Sequence, residues 1–199
     1  MGREIVTLRY GNTRTFLVRG VIGSLLVDTD YAGTMAAFYR ALKEHEIRLS
    51  DISYVMATHF HPDHCGLIGQ FQRQGTKLLL VDSQVAAVHF PDNIFARDKV
   101  DYVPVDPDQA IIISVEESRR FLKTLGIDGE IVRTGSHSED SVSLILDDGN
   151  CFVGDLEPRE YVDAYNVNSA LANDWVSILA RNPRIIHYAH APESPAVGS

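Results

Sequence analysis

The sequence is poor in cysteine and has no long apolar stretch. Its two cysteines, Cys65 and Cys151, do not suggest the disulfide framework of a small secreted protein. No apolar run approaches the roughly 18 residues that cross a bilayer. The first ten residues alternate like a strand and lack the apolar region of a signal peptide. We therefore expect a cytoplasmic protein that does not enter the membrane.

Basic residues are also scarce. The chain has 18 Lys and Arg against 27 Asp and Glu, which gives a net charge of −9. A protein that follows nucleic-acid phosphates needs a clustered basic face, so this balance argues against a nucleic-acid partner. The length of 199 residues suffices for a full hydrophobic core. We expect residues 1–199 to form one domain that acts on a small molecule. The sequence leaves undecided whether two copies form a homodimer.

Strand and helix signals alternate along the chain, which indicates the α/β class. Residues 91–110 contain three prolines and are expected to be irregular, either as a pocket wall or as a plain connection. The strands are expected at residues 4–10, 15–19, 22–27, 52–57, 77–81, 131–133, 142–146, 151–153 and 185–188. The helices are expected at residues 34–48, 64–74, 82–89, 116–125 and 168–181.

The densest polar cluster follows the strand at residues 52–57. Three of the chain's eight histidines and one carboxylate lie between His59 and His64. His59 and His61 are two residues apart, so they face the same way on an extended segment. Pro62 then turns the chain before Asp63 and His64. Imidazole and carboxylate are ligands that Zn²⁺ and Fe²⁺ prefer, so this loop predicts half of a metal site.

Further polar residues stand at the ends of later strands, namely His137, Asp155 and His190. Together with the first loop they supply five histidines and two aspartates, which is enough for two metal ions. Two ions about 3.5–4 Å apart can share a hydroxide and polarise the bond that it attacks. The chain contains no Gly-x-Ser-x-Gly motif as a competing catalytic signal.

Two residues near the first loop have more than one interpretation. Asp28 ends the third strand, where it either caps a turn or holds a ligand loop from behind. Cys65 is next to His64 and is a candidate ligand, although a small buried packing residue is the favoured interpretation.

The pattern His59-x-His61-x-Asp63-His64, followed by His137, Gly154-Asp155 and His190, resembles the metallo-β-lactamase superfamily over essentially the whole chain. The resemblance implies a four-layer αβ/βα sandwich (αββα) with two divalent ions at one edge, between the sheets. It implies that one ion is held by His59, His61 and His137. It implies that the other is held by Asp63, His64 and His190, with Asp155 bridging the two and Asp28 supporting the ligands from behind.

Several loops depart from the usual superfamily pattern. Asp30 replaces the usual glycine after Asp28-Thr29, the His137 loop keeps only its histidine and a hydroxyl, and alanines flank His190. The short segment between Asp155 and His190 suggests a compact, open site. Tyr161, Tyr165 and Tyr188 are candidate donors to an oxyanion, with ordinary packing favoured for each.

The ligand set is similar to that of glyoxalase II enzymes, although their extra C-terminal region is not expected here. Diiron proteins of the fold that react with or sense oxygen or nitric oxide usually have Glu where His61 stands. We therefore expect a hydrolase with two zinc ions, with iron or manganese as the alternative metals. A bridging hydroxide would attack an ester, thioester or lactone, with Asp63 orienting it, and phosphodiesters are the less favoured substrate class. The diiron protein is the alternative.

Overall fold

The computed structural model describes residues 4–164 and 169–196, which form two β-sheets with helices against them. The strands are β1 Glu4–Arg9, β2 Arg14–Arg19, β3 Ser24–Val27, β4 Tyr54–Met56, β5 Lys77–Val81, β6 Ile111–Ile113, β7 Gly129–Arg133, β8 Val142–Leu146, β9 Asn150–Gly154, β10 Ile185–Tyr188 and β11 Ser194–Pro195. The α-helices are α1 Met35–Glu44, α2 Pro62–Cys65, α3 Ile68–Arg73, α4 Asp92–Asp98, α5 Val115–Thr124, α6 Glu160–Ala164 and α7 Ala170–Leu179. Short 3₁₀ helices span Leu49–Asp51, Asp82–Ala87 and Pro107–Gln109.

The two sheets differ in strand direction. The first has the order β1-β2-β3-β4-β5-β6 and changes from antiparallel to parallel pairing after β3. The second has the order β11-β10-β9-β8-β7, with β9 and β10 parallel and its other pairs antiparallel. The parallel strands β3, β4 and β5 therefore end at one edge, where polar loops can meet.

Apolar residues on both faces of the strands produce the layers. Leu26 of β3 packs with the helix side of the first sheet, whereas its neighbours Leu25 and Val27 face the core between the sheets. Strands covered on both faces are expected to be apolar throughout, and all four residues of β3 are buried. Helices α1 and α3 cover the first sheet, and α7 covers the outer face of the second. This arrangement confirms the predicted αββα sandwich.

The helix predicted over residues 64–74 is divided in two. The backbone carbonyl of His64 accepts hydrogen bonds from the Thr29 amide at 2.9 Å and the Thr29 hydroxyl at 3.2 Å. The amide of Leu67 also turns to the Thr29 hydroxyl, at 3.3 Å. A Cβ atom on Gly66 would lie 2.3 Å from the Ala32 amide nitrogen, so only glycine allows this close approach. The expectation of one continuous helix was wrong because a distant loop takes its backbone hydrogen bonds.

The segment at residues 91–110 is more ordered than expected. It contains α4 and a 3₁₀ turn, and it leads directly into β6, an edge strand that the sequence pattern did not predict. Phe95 of α4 is fully buried and packs against Tyr31 and Tyr102. Along the described ranges 4–164 and 169–196, no helix combines the length and apolar character needed to span a membrane.

Candidate metal centre

Several loops bring the predicted ligands together at one edge of the sandwich. The loop after β4 carries His59, His61, Asp63 and His64. The loop after β7 carries His137, β9 leads to Asp155, and β10 leads to His190. All seven side chains converge there, in three overlapping groups, and the ligand atoms of each group lie within 4.8 Å of one another. Their binding of metal stays a prediction.

The first group contains His59, His61 and His137. His137 Nε2 lies 3.1 Å from His61 Nδ1, and the ring centroids of His59 and His61 are 4.4 Å apart. His59 is buried, whereas 27% of the His137 side chain is exposed. The group is therefore closed on one side and open on the other.

The second group contains Asp63, His64 and His190. Asp63 Oδ2 lies 3.1 Å from His190 Nε2 and 3.9 Å from His64 Nε2. His64 is fully buried, whereas the side chains of Asp63 and His190 are 37% and 38% exposed. This group also has a buried back and an exposed front.

Asp155 lies between the two groups. Its Oδ1 is 3.3 Å from both His64 Nε2 and His190 Nε2, in the second group. Its Oδ2 is 3.9 Å from His59 Nε2 and 3.7 Å from His137 Nε2, in the first group. Each carboxylate oxygen thus faces a different group, which is the placement that a bridging ligand requires.

Asp28 supports both buried histidines from behind. Its Oδ1 accepts hydrogen bonds from the Thr58 amide at 2.6 Å and the Thr58 hydroxyl at 3.0 Å. The same hydroxyl forms a 3.2 Å hydrogen bond with His59 Nδ1. Asp28 Oδ2 lies 3.1 Å from His64 Nδ1, but these two atoms are not aligned as a hydrogen bond. The structure therefore favours the ligand-supporting interpretation of Asp28 over the simple turn cap. A φ of 60° places Asp28 in the left-handed region, a costly conformation found at functional sites.

Gly154, the last residue of β9 before Asp155, allows this strand to approach Thr58 closely. A Cβ atom there would lie 2.3 Å from the Thr58 hydroxyl oxygen, and the φ of Gly154 is +59°. A larger residue would displace Thr58 and, with it, the orientation of His59. Glycine is therefore required where the two ligand loops meet.

Two polar residues to which the sequence pattern assigned no supporting role also hold the loops in place. Gln84 is fully buried, and its side-chain amide donates to the carbonyls of Ala57 at 3.0 Å and Thr58 at 3.3 Å. Asp140 accepts a 2.7 Å hydrogen bond from the Phe60 amide, which joins the first ligand loop to the His137 loop. Nothing local in the sequence distinguishes these residues from ordinary surface polar groups.

Asp30, the departure from the usual glycine, has a structural role. Its carboxylate accepts hydrogen bonds from the amides of Thr13 at 3.2 Å and Tyr31 at 2.6 Å. The Thr13 hydroxyl then donates to the backbone carbonyl of Asp63 at 2.7 Å. The turn between β1 and β2 is thereby fastened beside the second ligand group.

The two buried histidines have opposite protonation preferences. Burial lowers the pKa of His59 far below its usual value, and repulsion from His64 and His61 adds to the effect. Burial acts in the same direction on His64, but the Asp28 and Asp155 carboxylates outweigh it and raise the pKa of His64 to about 10. A positive charge is thus favoured between these two carboxylates.

The carboxylates of the centre are held ionised. Burial raises the pKa of Asp63, but the hydrogen bond from His190 and the charge of His64 outweigh it, so that the pKa falls to about 2. Burial also raises the pKa of Asp155, but attraction to His64 Nε2, 3.3 Å from Asp155 Oδ1, and to His190 and His137 outweighs it and lowers the pKa. The hydrogen bond with Asp63 raises the pKa of His190. The centre therefore offers anionic ligands at neutral pH.

Several buried ligand atoms have no hydrogen-bond partner within the described residues. They are His59 Nε2, His64 Nε2 and Asp155 Oδ1. Buried polar atoms are rarely left unpaired, and these three point towards the same small volume. The donor set of imidazole and carboxylate therefore fits divalent metal ions.

The other predicted candidates lie outside the ligand groups. Cys65 is buried and donates from Sγ to the His61 carbonyl at 3.2 Å, and burial raises the pKa of its thiol, so it packs as a core residue. Tyr188 belongs to the core beneath α7, which confirms the packing interpretation for that tyrosine. Tyr161 is on the exposed surface of α6, and Tyr165 lies outside the described residues.

The chain belongs to the metallo-β-lactamase superfamily, whose family model matches residues 8–190. Proteins of this fold bind divalent metals, and most are hydrolases. A curated relative, metallo-beta-lactamase domain-containing protein 1 of Rattus norvegicus, is 38% identical over 69 residues. The match covers 35% of this chain and only 28% of that relative.

Solved structures share the fold over nearly the whole chain. The metallo-beta-lactamase family protein TTHA1429 of Thermus thermophilus has a TM-score of 0.72 and 19% identity, covering 98% of this chain and 75% of its own. The BLEG-1 B3 metallo-beta-lactamase has a TM-score of 0.73 and 17% identity, with coverages of 97% and 94%. TTHA1623, solved in a di-iron-bound form, has a TM-score of 0.70 and 20% identity, with coverages of 97% and 94%. At these identities the similarity establishes the fold.

Proposed function

We propose that the protein is a hydrolase with two divalent metal ions, zinc foremost, that cleaves a small ester, thioester or lactone. His59, His61 and His137 hold one ion in this proposal, and Asp63, His64 and His190 hold the other. The supporting observation is the placement of Asp155, whose two carboxylate oxygens face different ligand groups at 3.3–3.9 Å. A carboxylate placed in this way can serve an ion in each group, which supports two ions rather than one.

The bound ions would acidify a shared water molecule and polarise the carbonyl under attack. The chain's own residues then control geometry and access. Asp63 remains ionised because its pKa is about 2, and its partly exposed carboxylate can accept a hydrogen bond from the attacking water. His59 and His64 close the back of the centre, so substrate must approach past His137 and His190.

The surroundings of the exposed front support a small and partly apolar substrate. The ring of Phe90 is 54% exposed, and its centroid lies 5.5 Å from that of His61. A shallow cavity of about 300 Å³ adjoins His137 and is lined by Ser136, Glu157 and Leu171 among others. An apolar ring on one side and a cavity with both polar and apolar lining on the other suit an acyl group joined to a polar leaving group.

A substrate panel tests the proposal. Metal-saturated protein would be assayed with an aryl ester, an acyl thioester, a lactone and a phosphodiester. We expect turnover of at least one carbonyl substrate, and we expect Asp155→Ala to abolish it. An exposed position remote from the centre, Lys43→Ala, provides the matched control. Silence of the fully metallated protein on all the carbonyl substrates would contradict the proposal.

A diiron protein that reacts with oxygen or nitric oxide is the second candidate. It is favoured by one observation, the similarity of the fold to TTHA1623 in its di-iron-bound form. Elemental analysis and visible spectroscopy of protein prepared without added metal separate the two candidates. Stoichiometric iron with a ligand-to-metal band would support the diiron protein and contradict the zinc hydrolase.

A further inference from the structure

Two arginines face each other at one end of the hairpin formed by β1 and β2. Arg9 is paired directly with Arg14, and Thr7 is paired with Phe16 two residues away on the same face. The Phe16 ring lies 5.4 Å from that of His187 in β10, so this face looks towards the second sheet. Both arginines therefore lie at the edge of the cleft between the two sheets.

Neither arginine of this pair has an ionic partner within 4.0 Å among residues 4–164 and 169–196. Like charges directly opposite each other in a sheet are destabilising. At the other end of the same hairpin, Arg19 forms a 2.9 Å ion pair with Glu4, which stands opposite it. Neither Arg9 nor Arg14 forms an ion pair with a described carboxylate, although the chain has 27 acidic residues.

Arg14 also leaves a donor unused. Its Nε is shielded from solvent and has no hydrogen-bond partner within the described residues. A guanidinium presents a planar fork of donors that matches the oxygens of a carboxylate or phosphate. Arg9 is exposed, and its charge lies beside the unpaired Nε of Arg14, so the two side chains together favour an oxyanion as ligand.

A cavity of about 170 Å³ lies at this point, and both arginines line it. Thr7, Phe16, His187 and Pro192 form other parts of its wall. Glu193 also lines it, but this side chain is 65% exposed and lies 3.4 Å from His187 Nδ1. The volume holds a few heavy atoms and some water, which limits the ligand to a small anion.

We propose that Arg9 and Arg14 form a binding site for a small oxyanion, a carboxylate or a phosphate, in the cleft between β2 and β10. The site is separate from the seven predicted metal ligands, but it borders the segment that carries one of them. The Arg14 amide donates to the Ala189 carbonyl at 2.8 Å, and His190 follows directly. An anion held by Arg14 would therefore lie beside the end of β10.

Calorimetric titration of the metal-saturated protein with inorganic phosphate and, separately, with acetate at constant ionic strength tests the proposal. We expect saturable binding of at least one anion to the wild type. Arg14→Gln and Arg9→Gln should each weaken it by about tenfold, the loss of one charge-assisted contact. Arg19→Gln removes an arginine from the same hairpin and should leave the affinity unchanged. Binding of phosphate alone would assign the site to phosphate groups, and binding of acetate would assign it to carboxylates.

Thermal unfolding of the same proteins gives a second measurement. Without added oxyanion, Arg9→Gln should unfold at the same or a higher temperature than the wild type, because it relieves repulsion. Arg19→Gln should not gain stability, since it breaks an ion pair. Undiminished anion binding by Arg14→Gln would assign the anion to another place, such as the metal ions, and would overturn the proposal. Failure of the wild type to bind either anion would overturn it as well.

Discussion

The back and the front of the candidate metal centre are built differently. At the back, His59 and His64 are 1% and 0% exposed, and Thr58 and Asp28 contact their second ring nitrogens. At the front, the side chains of His137 and His190 are 27% and 38% exposed. His190 Nδ1 is contacted only by a backbone carbonyl, that of Asn12 at 3.2 Å, among the described residues.

This difference in burial indicates that the buried ligands and the exposed ligands have different tasks. Ligands whose orientation is fixed from behind by buried polar side chains provide metal affinity and geometry. Exposed ligands leave room for substrate at the metal. Changes at the back should therefore affect both metal binding and folding, whereas changes at the front should affect metal binding and activity alone.

Asp155→Ala should have the largest effect, because this residue serves both groups. We expect the metal content to fall from two ions per chain to one or none. Activity should fall by more than the roughly 100-fold that loss of a supporting residue costs. Elemental analysis of the purified variant is the measurement, with Asp155→Asn as a variant of nearly the same shape. Retention of two ions by Asp155→Ala would contradict the bridging role.

A matched pair of histidine variants tests the contrast between back and front. His64→Ala and His190→Ala should each weaken metal binding by the second group. In chelator-treated protein, His64→Ala should also lower the free energy of unfolding by about 3 kcal/mol, because Asp28 loses its buried partner. His190→Ala should change it by no more than about 0.5 kcal/mol. Denaturant unfolding measures both, and equal destabilisation by the two variants would remove the contrast.

Asp28→Asn should have a smaller effect, confined to the support of the ligands. Asparagine tolerates the left-handed backbone at this position and keeps one acceptor for Thr58, but it loses the charge that faces His64. We expect metal affinity to fall by about 10–100-fold. Competition with a chromophoric chelator measures this. An affinity equal to that of the wild type would show that Asp28 does not support the metal through its charge.

Cys65→Ala should have the smallest effect on the metal. Cys65 follows His64 at the end of α2, and its thiol packs in the core on the helix side of the first sheet. We expect two ions per chain as in the wild type, with a loss of stability of about 1 kcal/mol from the small cavity. Elemental analysis measures the metal content, and denaturant unfolding of the same preparation measures the loss of stability. Loss of an ion would make Cys65 a ligand after all.

The order of layers was expected from the resemblance to the metallo-β-lactamase superfamily, whereas the seven convergent side chains could be predicted because their signals are local. Each ligand follows a strand, and four of them lie within the six residues from His59 to His64. The break between α2 and α3 could not be predicted, because it depends on Thr29 and on the close approach of Gly66 to Ala32. Contacts between segments so distant in sequence leave no local pattern.

The supporting polar residues were missed for a similar reason. Gln84 and Asp140 belong to residue types that are usually exposed, and their burial becomes evident only when the loops are assembled. Strand β6 was missed because a run of three isoleucines is too short to show a period. The unpaired arginines of β1 and β2 became visible only through the strand register.

The most direct test of the central claim is the number of metal ions that the wild-type protein holds. Protein would be saturated with zinc, freed of excess by gel filtration and analysed for metal and for protein concentration. The bridging position of Asp155 between two ligand groups predicts two ions per chain. A single ion per chain at saturation would contradict it.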